Sequence, residues 1–539
     1  MSNTTPTYFI TMDSKGSTKS DYDLVVIGAG INGAGIARDA VGRGLKVLLC
    51  EKDDIAEHTS SASTKLIHGG LRYLEHYDFK LVRHALKERE VLLRAAPHII
   101  WPLRFILPHH KDLRPRWLIR LGLFIYDHIG GRKILPASNS VNLRTHVAGE
   151  ALKNQYTSGF EYSDCWVQDS RLVVLNVMDA SEKGCAVLTR TEETDLHRNP
   201  KHWSVTLFEK ESGQTRNVTT TAVVNAAGPW VEKTLSLDEK HEIKHGIRLV
   251  KGSHVVVPEI FGHPYTYIFQ NADNRIIFAV PYENKYTLLG TTNVEVEGQP
   301  GEQTTEGWEV SYICETASVY FDKEINPEDA VWAYTGVRPL YDDASTNASK
   351  VTRDYKLDLD TKSGAPILSV YGGKLTTYRK LSEDALDMLT PVLGVKNPAW
   401  TFSAVLPGGD IVDANYDAFV SQMGEQFPWL DVDVLNDYTR NYGTRMTLLI
   451  GSAESINDLG ADFSGGLFQC EVDYLMRNEW AKEVEDILWR RSKKGLVINE
   501  EGISRLEEYM TAKKNTVLAN TDDELSLANR EELISRSIN

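Results

Sequence analysis

The run from Gly28 to Gly44, GAGINGAGIARDAVGRG, can hold a phosphate chain with its backbone alone. Gly28 permits a sharp turn, Gly30 lets the main chain approach a pyrophosphate, and Gly33 lets the helix that follows lie against the strand before it. The helix N-terminus then presents free N–H groups and a partial positive charge. Glu51 stands eighteen residues past Gly33, where a carboxylate can accept hydrogen bonds from ribose hydroxyls. This set suits an ADP-containing dinucleotide and does not separate NAD from FAD. A second stretch, KLIHGGLRYLEHY (Lys65–Tyr77), places His68, Gly69, Gly70, Arg72 and Tyr73 in an apolar frame of Leu66, Ile67, Leu71 and Leu74. A plain core segment does not carry an imidazole, a guanidinium and a flexible pair side by side. What His68 and Arg72 face is the question the fold has to answer.

The elements that position these residues can be read from apolar runs. Residues 23–28, DLVVIG, form a strand that ends in glycine, residues 31–43 are helix-friendly, and residues 46–51, KVLLCE, form a second strand. Further strands of the same unit are expected at 186–190 (AVLTR) and 219–227 (TTTAVVNAA). Between 247 and 294 the runs RLVKGSHVVV, RIIFAVP and YTLLGTTN are closely spaced, which suggests an antiparallel sheet inserted into the first unit. The segment PILSVYGGKLTTYRKL (366–381) reads as strand, glycine turn and helix, and returns the chain to that first unit. Beyond LPGGD (406–410) the character is helical: Val472, Leu475, Trp480, Val484 and Leu488 have the spacing of one broad helix face. The expected fold is α/β plus α: a Rossmann-like dinucleotide domain, an inserted antiparallel-sheet domain and a helical C-terminal domain. The expected boundaries are a disordered extension at 1–20, a first domain from 21–100, 165–245 and 331–404, a second from 101–164 and 246–330, and a helical domain from 405–539 whose last polar segment frays.

Composition narrows the class. The chain has 539 residues, 42% hydrophobic and 25% charged, as expected of a globular protein of two or three domains. Lys plus Arg total 59 against 75 Asp plus Glu, a formal charge of -16, which argues against a general nucleic-acid binder. The five cysteines show no CxxC spacing, so neither a metal site nor a disulfide framework is expected, and a reducing cytoplasm fits. The first twenty residues are polar and do not read as a signal peptide. No run reaches the roughly 18 apolar residues of a spanning helix, so the expectation is a soluble protein or one on a membrane surface. In HHKDLRPRWLIRLGLFIYDHIGGRK (109–133), basic residues flank Trp117, Leu118, Leu121, Phe124 and Ile125. Such a helix either lies on anionic lipid or packs on the protein's own core.

Taken together, these segments resemble the FAD-dependent glycerol-3-phosphate dehydrogenases of the aerobic, respiratory type. The resemblance runs from about 21 to 500, and rests on GAGINGAGIARDAVGRGLKVLLCEK, TSSASTKLIHGGLRYLEHYDFKLV, GFEYSDCWVQDSRLV, NAAGPWV, IRLVKGSHVVVP, YTGVRPL and GGKLTTYRKL. It implies an FAD-binding domain and substrate domain of the amino-acid-oxidase type plus a helical cap. It also implies non-covalent FAD, oxidation of sn-glycerol 3-phosphate to dihydroxyacetone phosphate, and electron transfer to quinone at the cytoplasmic membrane face. Carried onto this sequence, the cofactor residues are Gly28, Gly30, Gly33, Glu51, Ser61, Ser63, Val187, Gly228, Gly373, Lys374, Leu375 and Thr376. Arg72 and Arg338 would grip the phosphate, aided by Tyr73 and Lys374. His68 and His254 are both candidates for the base, with Arg338 beside them. The main rival is a glycerol-3-phosphate oxidase that returns electrons to oxygen. A nicotinamide enzyme would leave KLIHGGLRYLE and GGKLTTYRK without a task. An RNA-modifying flavoprotein would need a basic groove, and a cofactor scaffold without catalysis would not need Arg72, Arg338 and both histidines. Oligomeric state is open, a homodimer included.

Overall fold

A computed structural model describes residues 20–240, 245–271, 275–296, 298–342 and 354–515. Almost all of the expected N-terminal extension, and the chain beyond 515, lie outside the described residues. The first sheet is built around β1 (Tyr22–Ile27), α1 (Ile31–Gly42) and β2 (Val47–Cys50). Its order is Lys356–Asp360, Ile367–Tyr371, Thr215–Asn225, β1, β2, Ala186–Leu188, and every pair after the first is parallel. The run YDLVVI is apolar throughout because a central parallel strand is covered on both faces. α1 is buried almost all round, packed on helices Asp169–Glu182 and Tyr378–Leu393. Its Arg38 pairs with Asp179 at 2.5 Å, which neutralises both charges in the core.

The second sheet is antiparallel except where Thr266–Gln270 runs parallel to Ile100–Pro108. It runs from Val294–Glu295 through Ile247–Pro258, Tyr286–Gly290, Ile276–Tyr282 and Thr266–Gln270 to Ile100–Pro108, Ser158–Val167 and Leu66–Ile67. Here the observed elements differ from the expected boundaries. Trp332–Tyr341, expected in the first domain, pairs along the whole of Ile247–Pro258 from Ile247↔Tyr341 to Val256↔Trp332. Leu66–Ile67 joins the same sheet, and Ser158–Val167 runs unbroken across the expected boundary at 164/165. The reason is register. A long strand such as Ile247–Pro258 needs partners along its length to satisfy its amides, and strands distant in sequence supply them.

The C-terminal part is helical and shares its core with α1 and its neighbours. The face from Val472 to Leu488 does not lie on one helix. Helix Gln469–Asn478 ends, Trp480 takes φ +56°, and a separate wide helical turn follows at Asp486–Arg491. All five apolar residues still reach the core, so the apolar spacing held while the helix did not. The helical face in 109–133 forms as Arg116–Ile129.

Asp164 ties the second sheet to the helices beneath it. It accepts from Arg89 Nη1 (2.6 Å), Tyr126 OH (2.7 Å) and the Gly69 amide (3.3 Å). Asp164→Ala takes the close carboxylate from the buried Arg89 guanidinium, so the unfolding free energy is expected to fall by about 3–5 kcal/mol, read as a lower urea midpoint.

Candidate active site

The chain leaves β2 at Glu51, crosses from the first sheet to the second, and arrives at Leu66–Ile67 just before His68. Between this crossing and the C-terminal ends of the first sheet's strands lies a cavity of about 640 Å³, within the range for ligand pockets. At one end are Gly28, Gly30 and the start of α1. Gly28 sits at φ +98°, and a Cβ on Gly33 would lie 1.8 Å from the Gly28 carbonyl oxygen, so the turn and the helix contact both demand glycine. The first turn of α1 has no acidic residue, which leaves its positive end to a ligand. The Ile31 amide donates to the Ser60 hydroxyl at 3.0 Å. The Glu51 carboxylate accepts from the amides of Ala29 (2.7 Å) and Asp53 (3.0 Å). Burial raises its pKa to about 6 against the pull of those two amides.

His68, Arg72, Tyr73, Arg338 and Lys374 line the same cavity. The Thr376 hydroxyl holds the main chain of His68, accepting from its amide at 3.2 Å. Lys374 Nζ lies 4.0 Å from the centre of the Tyr73 ring. Arg338 faces Val250 across the strand pair, and its guanidinium reaches over Gly252, where a Cβ would be 2.4 Å from Nη2. It donates to Thr291 Oγ1 at 3.4 Å.

Of the residues singled out in the sequence, Gly28, Gly30, Glu51, Ser63, His68, Arg72, Tyr73, Gly228, Arg338, Gly373, Lys374, Leu375 and Thr376 line this cavity. Four do not. Gly33 is the contact of α1 on the turn. Ser61 donates to the carbonyls of Glu57 and His58, and it is Ser60 that faces α1. Val187 pairs with Leu49 and packs on the core. His254 is fully buried, stacked on Tyr334 at 4.9 Å, and its Nε2 meets the Thr64 hydroxyl at 2.9 Å. Burial, with Arg338 and Lys65 nearby, holds its pKa well below the usual histidine range, so it is neutral. Thr64 itself lines the cavity.

Sequence reading passed over Asn32, whose Nδ2 donates to the Gly372 carbonyl at 3.0 Å and so joins the two glycine turns. Its Oδ1 is buried on the cavity wall with no partner among the described residues, as an acceptor awaiting a ligand donor would be. The asparagine within the glycine motif was the available signal. Lys52 and Trp230 were also missed. They line the cavity, with Lys52 Nζ 3.5 Å from the Trp230 ring centre. Glu51, Asp53 and His58 bring ligand atoms within 4.8 Å of one another, but Asp53 is engaged by His58 (2.8 Å) and Lys210 (2.6 Å). A glycine turn on a bare helix end, a ribose-height carboxylate and an orphaned acceptor together fit a dinucleotide.

Comparison with known proteins agrees. Residues 23–379 match the FAD dependent oxidoreductase family, and residues 399–516 match the C-terminal domain of alpha-glycerophosphate oxidase. The chain is 48% identical to D-erythritol 1-phosphate dehydrogenase of Brucella abortus over 89% of its own length and 95% of that protein. It is 47% identical to aerobic glycerol-3-phosphate dehydrogenase of Escherichia coli, over 90% and 97%. The solved glycerol-3-phosphate dehydrogenase from Bacillus halodurans, complexed with FAD, shares the fold at 24% identity, with a TM-score of 0.70 over 91% of this chain and 94% of that one. Fold and site thus define an FAD-dependent oxidoreductase. Within that class the chain belongs to the FAD-dependent glycerol-3-phosphate dehydrogenase family, and its cofactor is FAD.

FAD affinity is expected to depend on pH through Glu51. Hydroxyl donors on the cofactor favour the ionised carboxylate, so binding releases the proton that Glu51 holds below about pH 6. Affinity should be level above that pH and fall below it, and Glu51→Gln should be weaker at neutral pH without this dependence, as measured by titrating apoprotein with FAD.

Proposed function

We propose that the chain oxidises sn-glycerol 3-phosphate to dihydroxyacetone phosphate and passes the electrons to membrane quinone. FAD, when bound, accepts the hydride. The observation that carries this reading is that Arg72, Arg338 and Lys374 line the same cavity as the dinucleotide turn. Guanidinium forks pair with phosphate oxygens through charge-assisted hydrogen bonds, and holding the phosphate aims the carbinol carbon. Tyr73 adds a hydroxyl donor. His68 takes the hydroxyl proton, since it lines the cavity and its main chain is pinned by Thr376. His254 acts from behind, as the partner of the Thr64 hydroxyl. The activity for which the Escherichia coli relative is named supports the substrate. A second reading takes a longer alditol phosphate, favoured by the equal likeness to the Brucella abortus enzyme.

The quinone reading draws support from helix Arg116–Ile129. Leu123 and Tyr126 on one side enter the core. On the other side Trp117 is 69% exposed, Leu121 47% and Phe124 53%, with Tyr77 and Phe79 also exposed. Lys111, Arg114 and Arg116 stand exposed at the same end as Trp117. An apolar face rimmed by basic groups suits an anionic lipid surface, which would put the protein on the cytoplasmic face of the cell membrane. Among the described residues no helix is long and apolar enough to cross a membrane.

The deciding experiment adds glycerol 3-phosphate to the yellow holoenzyme without air or NAD. Flavin absorbance should be lost, and should return faster with a quinone analogue than with air. Faster return with air would make the chain an oxidase, and bleaching by D-erythritol 1-phosphate alone would favour the second reading. Arg72→Ala should raise KM about 10- to 100-fold, as loss of a charged hydrogen bond of about 1.5–3 kcal/mol implies. Gly252→Val, by displacing Arg338, should raise KM in the same direction.

Membrane contact is tested separately. Trp117→Glu with Phe124→Glu should weaken binding to anionic phosphatidylglycerol vesicles by about tenfold or more and leave substrate bleaching unchanged. Unaltered vesicle binding would remove this helix from the lipid contact.

A further inference from the structure

We infer that the C-terminal domain retains the FAD, through a buried clamp of Arg490 and Arg491 on Asp54. Asp54 lies three residues past Glu51, and the run it opens puts Ala56, Glu57, His58, Thr59 and Ser60 on the cavity wall. Its carboxylate is 1% exposed. Oδ1 accepts from Arg491 Nη2 at 2.8 Å, and Oδ2 accepts from Arg491 Nη1 and from Arg490 Nε, the latter at 2.6 Å. Arg491 is fully buried, and its Nε donates to the Glu479 carbonyl at 3.0 Å. Arg490 also pairs with Asp486, which accepts from Arg190 Nη2 at 2.9 Å. The Arg190 amide donates in turn to the Asp53 carbonyl at 3.0 Å. The first residues of the cofactor loop are therefore held by main chain from the first sheet and by side chains from the far end of the sequence.

The same wide turn, Asp486–Arg491, also touches the second sheet. Trp489 stacks on Trp332 at 4.4 Å, at the start of the strand that carries Arg338 six residues further on. A bidentate pair sealed from water is strong and directional. Removing Arg491 strips Oδ1 of Asp54 of its donor and leaves only Arg490 on Oδ2; a buried carboxylate so short of partners gains by drawing in water, and the nearest way to do so is for the loop over the cofactor to open. Coupling of this kind is reciprocal: what the clamp does for FAD, FAD does for the clamp. Arg490 and Arg491 are positioning residues here, since neither lines the cavity.

The test uses full-length holoenzyme and follows the rise of free-flavin fluorescence after dilution. Arg491→Met should release FAD about tenfold faster or more, equivalent to about 1.4 kcal/mol, with Arg491→Lys between it and the wild type. Arg445→Met is the comparison, because Arg445 joins the C-terminal domain to Glu182 at 2.7 Å and touches no loop residue. It should release flavin at the wild-type rate. Equal release from Arg491→Met and wild type, or equally fast release from both variants, overturns the clamp. If Arg491→Met does not fold, hydrogen exchange in the wild type decides. Removing FAD should speed exchange in 54–60 and in 486–491 together, and unchanged exchange in 486–491 overturns the proposal. Neither readout involves substrate, so a wild-type flavin that glycerol 3-phosphate fails to bleach counts against the proposed substrate and leaves the clamp standing.

Discussion

Asp169 holds the crossing on which the site depends. The chain has to pass from the parallel sheet to the antiparallel one directly over the cavity, and that path buries polar groups that water cannot reach. Asp169 receives the Ser63 amide and hydroxyl and both near contacts of Lys65 Nζ, at 2.8 and 3.0 Å. Lys65 and Asp169 are each 1% exposed at the side chain, so the pair is stable only with its remaining hydrogen bonds satisfied. Lys65 Nζ also reaches the Ser61 carbonyl, and the Tyr334 hydroxyl donates to the Ser63 carbonyl. With residues 61–65 fixed in this way, Leu66–Ile67 can pair with Trp166 and Cys165, and His68 emerges at the cavity. The direction His68 faces is thus set three to five residues earlier, by a carboxylate at the start of another helix.

The electrostatics of the cavity run against those of the whole chain. A formal charge of -16 would repel an anionic substrate, yet Arg72, Arg338, Lys374, Lys52 and Lys233 line the cavity together with Glu51, Glu192 and Glu193. Burial raises the pKa of Glu51 and of Glu193. Net charge is therefore a sound guide to what the outer surface avoids and a poor one to what the cavity accepts.

The parallel unit was legible because its signals are local. The strand before Gly28, the glycine spacing and Glu51 all fall within thirty residues, and each is read without knowing any distant contact. The antiparallel sheet was legible only in part. GVRPL was expected in the first domain, but its place is decided by pairing with Ile247–Pro258, which no local pattern reveals. The same limit explains the choice of Ser61 over Ser60, since two adjacent serines in TSSAST are equivalent until α1 is placed against one of them. It also explains His254. A histidine in KGSHVVV could stand on either face of a strand, and here that face is closed by Tyr334 and Thr64.

Helix Arg116–Ile129 and the turn Asp486–Arg491 show two ways in which apolar spacing underdetermines structure. In the helix the spacing found real helical faces but could not say which one meets the core, because Leu123 and Phe124 are equally apolar neighbours and only the packing of Leu86, Phe105 and Tyr162 around Leu123 and Tyr126 decides it. In the C-terminal segment the spacing found the buried residues and missed the break. Trp480 leaves the helical region, and the chain resumes as a turn that brings two successive arginines to one carboxylate. The irregular turn trades regular backbone pairing for a buried charge contact, held by the ion pairs among Asp54, Asp486, Arg190, Arg490 and Arg491. Helical periodicity contains no term for such a contact, and so the part of the chain that reaches back to the cofactor loop was the part least visible in its sequence.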